Sequence, residues 1–245
     1  MTGGRTVFAW LAHLYTAMGL VCAAGIAVLI VDGSDLSFRR AFMLMMLATL
    51  IDATDGWLAR RARVKEVLPT IDGRALDDLI DFHTYTTLPL FLLWRAGTLP
   101  GALAWLLVLP LLASAYGFSQ TNAKTDDGFF LGFPSYWNIV AFYLYVLQPP
   151  ALVSVALIVI LTVLTFVPTP YIYATRGGSF AALVNGGAVV YFIAIGLVLR
   201  GGPGSYRIAV ASLVYPAIYL ALSALVTVRR ASRVNENQNV YKSRA

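Results

Sequence analysis

Five of the chain's 12 acidic residues crowd the facing ends of two successive apolar segments: Asp52, Asp55, Asp77, Asp78 and Asp81. Their neighbours are largely apolar. A carboxylate at the centre of a membrane helix costs on the order of 2.5–3.5 kcal/mol. So many like charges together would repel one another and take up protons unless cations neutralised them. A cluster of oxygens without sulfur suits Mg²⁺ or Mn²⁺.

Helical spacing sharpens the reading. At about 100° per residue, Asp52, Asp55, Gly56 and Ala59 share one face, and Gly73, Asp77 and Asp81 share another. Each face sets carboxylates beside small residues, which let a ligand or a helix approach the backbone. Asp78 points about 100° away from Asp77 and reads as a supporting residue. Asp72 reads as the N-terminal cap of the helix carrying Asp77. A purely structural network with Arg60, Arg61, Arg63 and Arg74 would account for one or two of these acids. It does not account for five at matching spacing.

The elements that position them must be membrane helices. The chain has 245 residues, 59% hydrophobic and 12% charged, with a mean hydropathy of +0.74. Soluble domains carry about 25% charged residues. The single Cys22 rules out an internal disulfide and makes a thiolate zinc site untenable, and His13 and His83 are too few for a histidine site. The expected fold is all-α and polytopic. Apolar segments lie near 8–31, 41–60, 73–94, 101–120, 134–148, 151–168, 180–199 and 207–228. The fifth is short and is expected to pair with the sixth through Pro149 and Pro150. The chain reads as a single membrane domain, 1–228, with a basic tail, 229–245, laid on anionic headgroups.

The net charge of +6 reflects topology rather than nucleic-acid binding. With the N-terminus inside, Arg5, Arg60, Arg61, Arg63, Lys65, Arg74, Lys124, Arg176 and the tail's basic residues all lie on the inner side. Only Arg39, Arg40, Arg95, Arg200 and Arg207 lie outside. The positive-inside rule therefore places both termini in the cytoplasm. A cleaved signal peptide ending near Ala23-Ala24-Gly25 is the alternative reading of the first span. The polar His13, Tyr15 and Thr16 inside it argue otherwise.

Asp52-Ala-Thr-Asp55-Gly56-Trp-Leu-Ala59-Arg60, followed by Gly73-Arg-Ala-Leu-Asp77-Asp-Leu-Ile-Asp81, resembles the signature of the CDP-alcohol phosphotransferases, D-x-x-D-G-x-x-A-R then G-x-x-x-D-x-x-x-D. Every fixed position is filled. The family has a core of six spans. Twelve residues separate Arg60 from Gly73, where about eight are usual. The longer spacer resembles the bacterial phosphatidylcholine synthases, as do the eight-span count and the run Phe133-Pro134-Ser135-Tyr136-Trp137-Asn138.

The resemblance implies Asp52, Asp55 and Asp77 as metal ligands and Asp81 as ligand and general base, with two divalent ions expected. It implies Gly56, Ala59 and Gly73 along a cytidine pocket, and Arg60 near the phosphates. It implies CDP-diacylglycerol and choline as substrates, CMP as the soluble product, a bacterial inner membrane and a homodimer. No Ser/His/Asp arrangement or P-loop suggests a covalent intermediate.

Aromatic faces bind quaternary ammonium groups. The candidates are Tyr116, Tyr136, Trp137, Tyr171 and Tyr173, with Tyr136, Trp137 and Asn138 preferred. An interfacial aromatic belt explains any one of them as well. His13, Tyr15 and Thr16 either touch the nucleotide or pack the helix. His83 points away from Asp81, and Asn185 has no assigned role. A phosphorylated acceptor, such as inositol phosphate or glycerol phosphate, would need a basic pocket. Outside the metal helices the inner loops offer only Lys124 and Arg176. That favours choline or serine. A cation transporter, the reading from another class, would be expected to show inverted repeats, and the sequence shows none.

Overall fold

A computed structural model describes residues 2–121, 125, 129–172 and 181–228. The basic tail, Lys124, Tyr173 and Arg176 lie outside the described residues. Each apolar segment read from the sequence coincides with helical chain. Among the described residues, five helices are long and apolar enough to cross a membrane: Gly3–Asp32, Asp35–Ala62, Gly101–Ser119, Ala182–Arg200 and Ser205–Val228. Their lipid-facing sides carry apolar groups that water would not tolerate, as do the shorter helices, where Leu152 is 81% exposed.

Helices α1 (Thr2–Asp32) and α2 (Asp35–Ala62) form the first hairpin. The turn needs Gly33, whose φ is +74°, and a β-carbon there would run into the Arg95 guanidinium. Ser34 caps α2, accepting the Ser37 N–H at 3.2 Å. Asp32 accepts hydrogen bonds from the hydroxyls of Ser34 (2.8 Å) and Ser37 (2.6 Å). Asp35 pairs with Arg39 at 2.7 Å and accepts from the Tyr145 hydroxyl.

At the far end Arg63, at φ +51°, stops α2, and Arg60 and Arg61 in its last turn suit the negative end of the helix dipole. A single turn, α3 (Val64–Val67), follows. Asp72 then caps α4 (Gly73–Asp81), accepting from the N–H groups of Arg74 and Ala75 at 3.0 and 3.1 Å, the role expected from its position. The chain widens into a π-helical segment, Phe82–Thr87, and returns to α geometry as α5 (Leu88–Arg95).

A 3₁₀ stretch, Gly101–Leu107, leads into α6 (Val108–Ser119). Helix α7 (Trp137–Leu147) is buried along nearly its whole length. At about 1.5 Å per residue it is too short to cross a bilayer, and it acts as a central plug. Around it Phe42, Leu92, Leu93, Ile195 and Val198 form the main core.

The expected pairing of α7 with α8 (Ala151–Phe166) is not what the fold builds: α7 packs on α5 and on the helix Ser205–Ser212, and α8 on α6. The Pro149-Pro150 corner breaks the helix without folding it back on itself. Helix α9 (Ala181–Arg200) precedes α10 (Ser205–Ser212), whose helix resumes past Leu213 and runs to Val228.

Among the described residues, one regular element is not helical. Strand β1 (Phe129–Leu131) pairs antiparallel with β2 (Pro170–Ile172), with Phe130 opposite Tyr171. Helix α10 holds this clip: Ser223 accepts the Ile172 N–H at 3.3 Å, and the Tyr219 hydroxyl donates to the Ile172 carbonyl at 3.0 Å.

Candidate active site

The C-terminal half of α2 and the short α4 bring their acidic faces together, as the helical spacing requires. Ligand oxygens of Asp52, Asp55 and Asp77 all lie within 4.8 Å of one another, and Asp55 is only 7% exposed. Asp81 lines the same cleft but stands outside the close triplet. Thr16 and Gly19 of α1 and Ile80 of α4 complete the walls.

Two unit charges at such a distance repel by about 3 kcal/mol at an effective dielectric constant near 20. A divalent cation would reverse the sign of that interaction. Three convergent hard oxygens with no thiolate or imidazole among them fit Mg²⁺ or Mn²⁺.

The other signature residues, Gly56, Ala59, Arg60 and Gly73, are not among the residues lining the cleft, and each has a visible packing neighbour. A β-carbon on Gly56 would lie 3.1 Å from Arg60 Nη1, so the guanidinium folds back over the glycine one turn before it. Ala59 packs into the small cluster formed by Ala9, Ala12, Ala62 and Val64, where α1 approaches closely. Gly73 makes room for His13, whose Cε1 would sit 3.1 Å from an added β-carbon. Asp78, 3.5 Å from Arg74, faces a separate cleft walled by Phe118, Phe130 and Phe133. Tyr15 shares a 2.8 Å hydrogen bond with Thr54, and the ring of His83 rests against Phe82.

The proposed choline residues separate into two groups. Tyr136 lies 6.3 Å from the ring of Tyr85 and 6.1 Å from that of Tyr219. Asn138 donates to the Thr49 hydroxyl on α2 at 3.3 Å. Trp137, however, is 0% exposed and donates its indole N–H to Ser114 at 3.0 Å. Tyr116 lies on Phe166, with ring centroids 4.9 Å apart. Tyr171 is buried in the strand pair beside Phe133. Tyr136, at the N-cap ahead of α7, stands among the rings of Tyr85 and Tyr219, whereas Trp137 is enclosed in the main core.

Tyr85 escaped the sequence reading. Its hydroxyl donates to Asp52 Oδ2 at 2.8 Å, tying the π segment to a candidate metal ligand. A tyrosine four residues after Asp81 was the available signal. Its significance depends on the π turn, which spacing does not reveal.

The CDP-alcohol phosphatidyltransferase family profile matches residues 9–167, more than half of the chain. The chain is similar to a protein named phosphatidylcholine synthase in Legionella pneumophila, at 41% identity over 69% of this chain and 66% of that protein. A phosphatidylcholine synthase of Legionella bozemanae is 36% identical over 75% of this chain and 88% of its own length. One from Pseudomonas aeruginosa is 34% identical over 85% of this chain and 87% of its own. The matched region contains both acidic helices and every residue of the cleft, and on that footing the chain belongs to the CDP-alcohol phosphatidyltransferase family.

Proposed function

We propose that this protein is a phosphatidylcholine synthase, transferring the phosphatidyl group of CDP-diacylglycerol to choline and releasing CMP. The observation that carries the reading is the cleft in which Asp52, Asp55 and Asp77 converge with Asp81 at its edge. The acceptor rests on the relatives' names and on a run of aromatic rings that starts at Tyr85, bonded to Asp52, and continues through Tyr136 to Tyr219. Aromatic faces favour a quaternary ammonium group over a phosphorylated alcohol.

Asp52, Asp55 and Asp77, with Asp81, would hold two divalent ions, Mg²⁺ or Mn²⁺. Bound there, such ions neutralise the charge of the diphosphate. Asp81 is the general base and takes the choline hydroxyl proton. The choline oxygen forms a bond to the phosphorus carrying diacylglycerol. The bond from that phosphorus to the bridging oxygen breaks, and CMP leaves with the electron pair. No covalent enzyme intermediate is needed. Tyr85 holds Asp52 in place. Gly56 and Gly73 leave room beside the nucleotide, and Arg60 lies near its phosphates.

The protein sits in the bacterial inner membrane with both termini and the basic loops in the cytoplasm, by the positive-inside rule. There soluble CMP can escape and choline can enter. It works as a homodimer, as the family commonly does.

The test is a product assay on purified protein with CDP-diacylglycerol, Mn²⁺ and labelled choline, serine, inositol or glycerol phosphate. Lipid-soluble label from choline alone, with stoichiometric CMP, is expected. Label from another acceptor with none from choline would refute the choline assignment, and near-normal turnover in Asp81→Asn would refute the assignment of the base.

A further inference from the structure

Among the described residues, two buried side-chain polar atoms have no hydrogen-bond partner within the protein, and one is His13 Nε2. The residue is 6% exposed. A buried imidazole nitrogen without a partner costs about 1–3 kcal/mol. Native proteins keep such an atom where something else completes it.

The register of α1 on α4 places His13 about one turn before Thr16, which lines the cleft. His13 lies against Gly73, and a β-carbon on Gly19 would meet Ile80 at 2.5 Å. The two helices therefore run parallel here and in step. Thr16, between His13 and Gly19, lines the cleft together with Asp77, which lies between Gly73 and Ile80. His13 thus sits level with the start of α4, four residues before Asp77. Four residues of helix are about 6 Å, roughly the step from a nucleotide's phosphate to its sugar and base. The displacement runs toward the basic end of the bundle, where Arg60 and Arg74 lie. A diphosphate at the carboxylates with its nucleoside directed to that end would bring the nucleoside within reach of His13.

We infer that His13 is a nucleotide-positioning residue: its Nε2 exchanges a hydrogen bond with a polar group of the nucleoside half of the donor lipid. Neutral imidazole can donate or accept at that atom, so a ribose hydroxyl or the cytosine edge would satisfy it. The contact also gives Gly73 a second purpose. A side chain there would push the imidazole out of register with the nucleotide.

The inference rests on the proposed CDP-diacylglycerol chemistry but not on the acceptor. Equilibrium binding of CDP to the purified full chain with Mg²⁺, choline absent, tests it. His13→Phe keeps a ring and removes both nitrogens, and it should weaken CDP binding about three- to tenfold, the fold-change of one ordinary hydrogen bond. His13→Asn should recover part of the loss, and KM for choline should stay within about twofold in both. CDP affinity in His13→Phe equal to that of the parent would overturn the inference.

Should that variant fail to fold, the parent protein still decides. The chain has only two histidines, so ring-¹⁵N labelling gives four nitrogen resonances from two rings, assigned to residue with His83→Gln. CDP with Mg²⁺ should move the His13 Nε2 resonance and choline should not. An unmoved resonance at saturating CDP would sink the idea. A dead choline assay with intact CDP binding would instead strike only the acceptor.

Discussion

At its start α2 carries Asp35, with Asp32 just ahead of it. Near its finish it carries Asp52 and Asp55. The first pair is committed to the fold: Asp32 gathers two serine hydroxyls, and Asp35 holds Arg39 and Tyr145. The second pair faces Asp77 from another helix, with oxygens within 4.8 Å of one another. The same side chain on the same helix closes a turn at one end and concentrates negative charge at the other. Only the second arrangement gains by the arrival of a cation, so an aspartate on this hairpin does not by itself mark a functional site.

The strongest way to break this contrast is Asp77→Asn. Turnover should fall by about 10²–10³-fold or more, the usual scale for losing one preorganised electrostatic group. A ligand that binds only the folded state stabilises it, so a chelator should lower the melting temperature of the parent protein. It should leave that of Asp77→Asn almost unchanged. Survival of metal-dependent melting in the variant would separate Asp77 from the metal.

Tyr85→Phe is the next step down. It removes the 2.8 Å hydrogen bond to Asp52 and keeps the ring. Hydrogen bonds to charged groups are worth about 1.5–3 kcal/mol, so turnover should drop about tenfold or more, with a higher metal concentration needed for half activity. An unchanged metal titration would reduce Tyr85 to packing.

The smallest effect belongs to the other end of α2. Ser34→Ala loses the N-terminal cap, typically about 1 kcal/mol. Thermal melting should shift down by a few degrees while turnover per folded molecule stays at the parent value. A loss of turnover there would show that the two ends are coupled and that the contrast is false.

Much of the site could be read from the sequence because two constraints act on it at once. The 3.6-residue repeat fixes which side chains share a face, and the cost of charge in lipid makes each aspartate stand out. That sufficed for Asp52, Asp55 and Asp77, and for the cap at Asp72. Trp137 shows the opposite case. An aromatic residue at the head of an apolar helix has the same local sequence whether it faces a pocket or the core, and only the packing of Ser114 and Phe133 around it decides. The β1–β2 clip was invisible because three-residue strands carry no usable alternation. The separation of α7 from α8 depends on how α5 and α10 compete for α7, which hydropathy does not encode.

The wide turn after Asp81 has a consequence for how this sequence can vary. A π turn holds one residue more than an α turn, and the Leu88 N–H reaches back to the His83 carbonyl across it. That extra residue lets the acids before it aim at α2 while Leu90, Leu92 and Leu93 after it aim inward. Deleting any single residue from 82 to 87 would swing one half by about 100° relative to the other. Surface loops can lengthen or shorten across a lineage, but the residue count of this crossing is fixed by two facings that must hold at once.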